Sequence, residues 1–232
     1  MATAPSTVAA EPPPDNLAGE RSRPNPDATD VPKESELIGL PAAPAQGSWT
    51  VEQWESLDIE GPRIELVDGC LELHAVPRLK HHMLQAILAD QLRRRFGVLR
   101  TLENGAKVRL GTRNGRIPDI LVLRPEVAMQ PDAESLDASA VLLAVEVLSP
   151  GRRQQDRDRV EKRADYAAAG IDEYWLVDPV AETVTPYRLV DGHYPDADPL
   201  GRTETLIAVV DEELRIDLDE LFASLPTSGE SQ

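Results

Sequence analysis

A second cysteine is missing. Cys70 is the single one in 232 residues, which rules out a disulfide within the chain and fits a reducing, cytoplasmic compartment. The first thirty residues lack the basic start and apolar stretch of a signal peptide. No later run approaches the roughly 18 apolar residues of a membrane span. Neither export nor membrane insertion is indicated. Positive charge is short as well: the formal net charge is -17. That argues against coating nucleic acid through bulk electrostatics, because like charge repels the phosphate backbone. No internal repeat is visible either.

Local charge differs from the sum. Between Arg78 and Arg116 ten Lys/Arg face only Asp90 and Glu103, and a second basic cluster comprises Arg152, Arg153, Arg157, Arg159, Lys162 and Arg163. The acids gather in the N-terminal part, after Pro125 and toward the C-terminus, so a polyanion could still meet a positive surface. Ordinary solvated helix faces are the competing explanation.

The length suits one sizeable core and does not require two. Residues 1–46 repeat proline, including Pro12-Pro13-Pro14, and hold almost no large apolar side chains. Such a segment cannot bury enough surface to offset its ordering entropy and is expected to be disordered. The folded domain is expected over residues 47–226, with 227–232 a second disordered end. Ser48 or Thr50 can cap a short helix through Leu57. Ile64 to Val67, then Asp68-Gly69, then Cys70 to Leu73 reads as a hairpin, because Asp-Gly takes the positive φ angles of a type I′ turn. From Leu79 to Phe96 apolar residues recur at helical spacing, with Arg93, Arg94 and Arg95 at the helix end. Strands are expected across 106–110, 117–123 and 141–148. Pro150-Gly151 breaks the chain, and a helix over 152–169 closes at Gly170. A strand over 174–177, two more over 183–190 and 205–210, and a short helix over 219–225 complete an α/β order.

Strand alternation puts Asp119 on one face with Leu121 and Leu123, and Glu146 with Leu142, Ala144 and Leu148. Both carboxylates thus lie on strands that otherwise want burial. Desolvating an unpaired carboxylate is costly or forces its protonation, so two near strand ends suggest a compensating cation. Hard oxygen ligands suit Mg²⁺ or Mn²⁺. Salt bridges to nearby arginines would account for the same pair. Asp158, Lys162 and Tyr166, at i, i+4 and i+8, form one stripe of the next helix that can face the sheet. An exposed Asp158–Lys162 pair with Tyr166 as core is the alternative.

Glu65 in IELVDG, Pro118-Asp119 in IPDILVL, Glu146 in AVEVLSP, and DRVEKRADYAAAGIDEYWLVDP from Asp158 to Pro179 together resemble the Uma-type restriction endonuclease family of the PD-(D/E)XK superfamily. The resemblance covers about residues 48–225. It implies an α/β fold with a mixed sheet flanked by helices. A core helix precedes a three-stranded meander, then a helix and another strand, with an N-terminal hairpin and extra C-terminal strands added. It also implies that Asp119 and Glu146 bind the metal, joined by the main-chain carbonyl of Val147. The superfamily usually carries a lysine two residues past the glutamate. Leu148 stands there, and the ammonium would come from Lys162 on the following helix, which a long flexible side chain permits. Glu65 matches a further acidic position, so Glu65, Asp119, Glu146 and Lys162 form the expected catalytic set. His81 matches a recurrent family histidine without an assigned role, and Cys70 stands where the family often has an acid.

The activity so implied is hydrolysis of DNA phosphodiester bonds by a Mg²⁺- or Mn²⁺-dependent endonuclease. A nuclease-fold module that binds a partner without cleaving, or a hydrolase of small phosphate esters, would use the same fold. DNA is the expected partner, a membrane is not, and a homodimer is left open.

Overall fold

The computed structural model describes residues 44–57, 63–74, 77–103, 105–127, 132–149 and 157–225. The expectations for residues 1–43 and 226–232 lie outside these. Contact with the hairpin starts by Gln46, whose side-chain oxygen accepts from the Leu71 amide at 2.8 Å. Thr50, rather than Ser48, caps helix α1 (Val51–Glu55) through a capping box with Gln53. The far end of α1 is held by Lys107, which donates to the carbonyls of Trp54, Glu55 and Leu57 at 3.2, 2.7 and 3.3 Å. Trp54 is buried and donates its indole N–H to the Ile64 carbonyl at 2.8 Å.

Strands β1 (Ile64–Val67) and β2 (Cys70–Leu73) form the expected hairpin. Asp68 (φ 48°) and Gly69 (φ 77°) both adopt the left-handed conformation that a two-residue turn of this kind needs. Helix α2 (Leu79–Phe96) buries Leu84, Leu88, Ala89 and Leu92 at helical spacing.

The central sheet contains β3 (Thr101–Glu103), β6 (Ile120–Leu123), β8 (Val141–Val147), β9 (Glu173–Asp178) and β10 (Thr183–Arg188), ordered β10-β9-β8-β6-β3. Strand β8 runs parallel to β9, and the other pairings are antiparallel. A second sheet, β2-β1-β5-β4-β7, adds β4 (Val108–Arg109), β5 (Gly115–Arg116) and β7 (Leu136–Asp137) to the hairpin. Near the C-terminus β11 (Thr205–Ile207) pairs with β12 (Arg215–Asp217).

Three expectations need correction. The first meander strand is Thr101–Glu103, not residues 106–110, whose Val108–Arg109 pairs in the second sheet. A three-residue strand is too short to show alternation, so no period marked it. The expected strand over 117–123 starts only at Ile120. Gly115–Arg116 belongs to the second sheet, and Pro118, with no N–H to give a ladder, lies in the passage between sheets. Leu142 does not share a face with Glu146. The register shifts between Val122 and Leu123, whose partners Leu143 and Val141 leave Leu142 as the extra residue. Leu142 packs with Leu143 and Val145, whereas Ala144 and Leu148 pack on the other face.

Two apolar layers cover the central sheet. One joins α2 and the C-terminal helix α4 (Leu218–Ala223) to Ile120, Val122, Val145 and Trp175. The other joins α3 (Lys162–Ala168) to Leu121, Ala144 and Tyr174. A π-helical turn, Arg157–Glu161, precedes α3. Helix α3 closes at Gly170 (φ 79°). The 150–156 portion of the expected helix is outside the described residues.

Candidate active site

The chain leaves the second sheet at Arg116, crosses Ile117-Pro118, and enters the central sheet at Ile120. Asp119 lies at that crossing. Its Oδ2 accepts from the Val147 amide at 2.7 Å, and Gln85 of α2 donates to its main-chain carbonyl at 2.6 Å. The side chain is therefore fixed against β8, one residue past Glu146. Glu146 is held by its Oε1, which accepts from the Tyr166 hydroxyl at 2.6 Å and meets the Lys162 ammonium at 2.8 Å. Tyr166 and Lys162 are one helical turn apart on α3, so the expected stripe does face the sheet. The Asp158 side chain is not among those described.

Glu65 enters from β1. Its Oε1 accepts from the Ile117 amide at 3.1 Å and lies 3.5 Å from Lys162, while its Oε2 meets Arg116 at 3.1 Å and His74 at 3.0 Å. Arg116 is fully buried and also pairs with Asp165 on α3. Glu65, Asp119, Glu146 and Lys162, predicted from sequence, thus converge in one buried cluster. Leu148 is buried in the apolar layer with Tyr166 and Tyr174 and supplies no charge.

Sequence reasoning missed Arg63, whose guanidinium lies among all three carboxylates. Its Nη1 is 2.7 Å from Asp119 Oδ1, and its Nη2 is 3.5 Å from Glu65 Oε1 and 3.7 Å from Glu146 Oε2. The overlooked signal was alternation, since residues 63 and 65 point to one face of an extended chain. His81, at a position to which the sequence assigns no role, has its Nε2 3.4 Å from Asp119 Oδ2.

The electrostatics follow from burial opposed by these partners. Burial works to raise the Glu65 carboxyl, yet Lys162, His74 and Arg63 hold it well below its ordinary 4.5. Burial likewise opposes ionisation of Asp119, but Arg63 and His81 keep it below 3.8. Burial and the neighbouring Glu146 carboxylate push the Tyr166 hydroxyl well above 10.0, so it acts as a donor. Glu65 and Asp119 are thus held charged, as a ligand for a cation must be.

Among the described residues no three His, Cys, Asp or Glu side chains form a ready metal cage. A Mg²⁺ site does not need one. Mg²⁺ keeps several waters and is commonly held by one or two carboxylates. The buried pair Asp119 and Glu146, with oxygens Oδ1 and Oε2 both turned toward Arg63, is a donor set of that kind.

The basic stretch from Arg78 to Arg116 is largely paired within the fold. Arg93, Arg94 and Arg95 meet Glu103, Asp90 and Asp211, respectively, at 2.7, 2.6 and 2.6 Å. Arg100 donates to the Leu123 carbonyl, and Arg113 to the Gly47 and Asp68 carbonyls. Acids near and far in sequence, and main-chain carbonyls, thus engage much of what reads locally as a free positive surface.

The sheet order and flanking helices define a restriction-endonuclease-like α/β protein. Residues 50–219 match the profile of Uma2, described as "putative restriction endonuclease", and the chain belongs to that family. It is similar in fold to the crystal structure of a "putative nuclease belonging to DUF820" from Anabaena variabilis. The two share 18% identity and a TM-score of 0.63, over 75% of this chain and 97% of that one. No curated protein matches the chain. No helix among the described residues is long and apolar enough to cross a membrane.

Proposed function

We propose that this protein is a metal-dependent DNA endonuclease. The observation that carries this reading is the meeting of Lys162 and Glu146 at 2.8 Å beside Asp119 and Glu65. An ammonium from α3 thereby stands among carboxylates that arrive from two sheets. Asp119 and Glu146, with the main-chain carbonyl of Val147, would hold Mg²⁺ or Mn²⁺. When bound, the ion supplies Lewis acidity toward a phosphodiester and a water molecule. Lys162 orients that water and balances negative charge developing on the phosphoryl group. Tyr166 fixes the Glu146 carboxylate by donating to it, and the Val147 amide fixes Asp119 in the same way. Glu65 holds Lys162 and Arg116 in register and extends the acidic site. Family membership supports a nuclease, and DNA is the substrate that the family description suggests.

Purified protein incubated with plasmid and single-stranded DNA tests this directly, with Mg²⁺, Mn²⁺ or EDTA present. Cleavage with either metal and none with EDTA is expected. Metal binding without cleavage of any DNA form would favour a binding module on the same fold.

A further inference from the structure

Arg63 occupies the side of the carboxylate cluster on which a cation would be held. Both oxygens of each proposed ligand have described partners. Asp119 Oδ2 accepts from the Val147 amide, and Glu146 Oε1 from Tyr166, with Lys162 beside it. The other oxygen of each, Asp119 Oδ1 and Glu146 Oε2, turns to Arg63, at 2.7 and 3.7 Å. A Mg²⁺ ion sits about 2.1 Å from its oxygen ligands. A divalent cation held by Asp119 and Glu146 on that side would compete with the Arg63 guanidinium for the space, and two cations so close would repel.

Of the three Lys and Arg side chains described in the cluster, Arg63 is the most exposed. Its side chain is 24% exposed, against 2% for Lys162 and 0% for Arg116. Two of its three carboxylate contacts are long, and its Nε has no hydrogen-bond partner among the described residues. A buried donor left unmet weakens its hold on the position. Lys162 and Arg116, by contrast, are enclosed.

Resting on the metal-site reading above, we propose that Arg63 is an exchangeable counter-ion. Its guanidinium holds Asp119 and Glu146 together without metal and is displaced toward solvent when a divalent cation binds. Arg63 thereby prearranges the two ligands and competes with the ion they bind. The exchange makes and breaks no covalent bond.

Calorimetric titration of the full chain with Mn²⁺, for the natural protein and for Arg63→Gln, tests the exchange. The variant is expected to bind Mn²⁺ about ten- to a hundredfold more tightly, the range that one charge-assisted hydrogen bond corresponds to. Its melting temperature in EDTA should fall, and its rise on adding Mn²⁺ should exceed that of the natural protein. Equal or weaker Mn²⁺ binding by Arg63→Gln overturns the exchange while leaving the metal site standing. Absence of Mn²⁺ binding by the natural protein overturns both. If the variant does not fold, NMR of the arginine Nε–H groups in the natural protein decides, with the Arg63 signal assigned through Arg63→Lys. Mg²⁺ should shift that signal and speed its exchange with water, and an unchanged signal overturns the proposal.

Discussion

The Tyr166 hydroxyl donates to Glu146 Oε1 at 2.6 Å, the same oxygen that the Lys162 ammonium meets at 2.8 Å. One carboxylate oxygen is therefore pinned by two side chains from a single helix, and the other is left facing Arg63.

Tyr166→Phe removes one of those two pins. A hydrogen bond to a charged group contributes about 1.5–3 kcal/mol, and unfolding in urea should show a loss of that order. Partners that orient a metal ligand commonly change affinity or activity by about 10–100-fold, so Mn²⁺ affinity should drop within that range. An affinity equal to that of the natural protein would separate Tyr166 from the metal site.

Ligand and catalyst can be told apart by substitutions that keep the shape of the cluster. Alanine would strand buried partners at about 3–5 kcal/mol, so Asp119→Asn, Glu146→Gln and Lys162→Gln are preferable. All three should lower Mg²⁺-dependent cleavage by at least about a hundredfold. The two carboxylate substitutions, Asp119→Asn and Glu146→Gln, should also lose Mn²⁺ binding, whereas Lys162→Gln should retain it. Near-natural cleavage by Lys162→Gln would remove that residue from the chemistry.

Gly115 lies under the Trp54 ring. A Cβ there would stand 2.6 Å from Trp54 Cε3 and 2.8 Å from Cη2. Gly115→Ala should therefore cost about 1–3 kcal/mol through overpacking, read as a lower melting temperature together with changed Trp fluorescence. An unchanged melting curve would mean that the ring moves aside freely.

Glu173 gives the fold a pH dependence away from the carboxylate cluster. It is buried and accepts from the Trp175 indole and the Val209 and Val210 amides at 2.6, 2.8 and 2.9 Å. Burial raises its carboxyl above the ordinary 4.5, against these donors and Arg188. A raised pKa means that the folded chain binds the proton more tightly than the unfolded one. The resulting stabilisation is full below pH 4.5 and is lost as pH rises through the folded pKa. Glu173→Gln does not titrate, so its stability relative to the natural protein should improve with rising pH across that window. Urea unfolding at a series of pH values measures this, and a relative stability that worsens with pH would refute it.

Local signals carried much of the fold. The Asp68-Gly69 turn and the apolar stripe of α2 each depend on neighbours a few residues away and were legible, as was a cap near the start of α1, though not the choice of Thr50 over Ser48. Sheet membership was not. Val108–Arg109 and Thr101–Glu103 are short strands whose partners lie elsewhere in the chain, and nothing local says which sheet takes them. Alternation and helical spacing singled out Asp119, Glu146 and Lys162 as candidates, and family resemblance joined them with Glu65 into one site. Arg63 escaped because a lone arginine before a hairpin reads as surface until the carboxylates that surround it are folded into place. The run Arg93 to Arg95 failed in the opposite direction. One of its partners, Asp211, is 116 residues from Arg95 and leaves no trace beside it.

Because Asp119 stands at the passage between sheets, the cluster closes only over long stretches of chain. Arg63 reaches Asp119 across 56 residues, and Arg116 reaches Asp165 across 49. Contacts of such separation form slowly, since loop entropy must be lost before they reward it. During synthesis Glu65 and Asp119 emerge well before Lys162, so a nascent chain carries acids without their ammonium. On the proposed reading, hydrolytic competence arrives last and all at once, and a half-made molecule has no means of cutting the cell's nucleic acid.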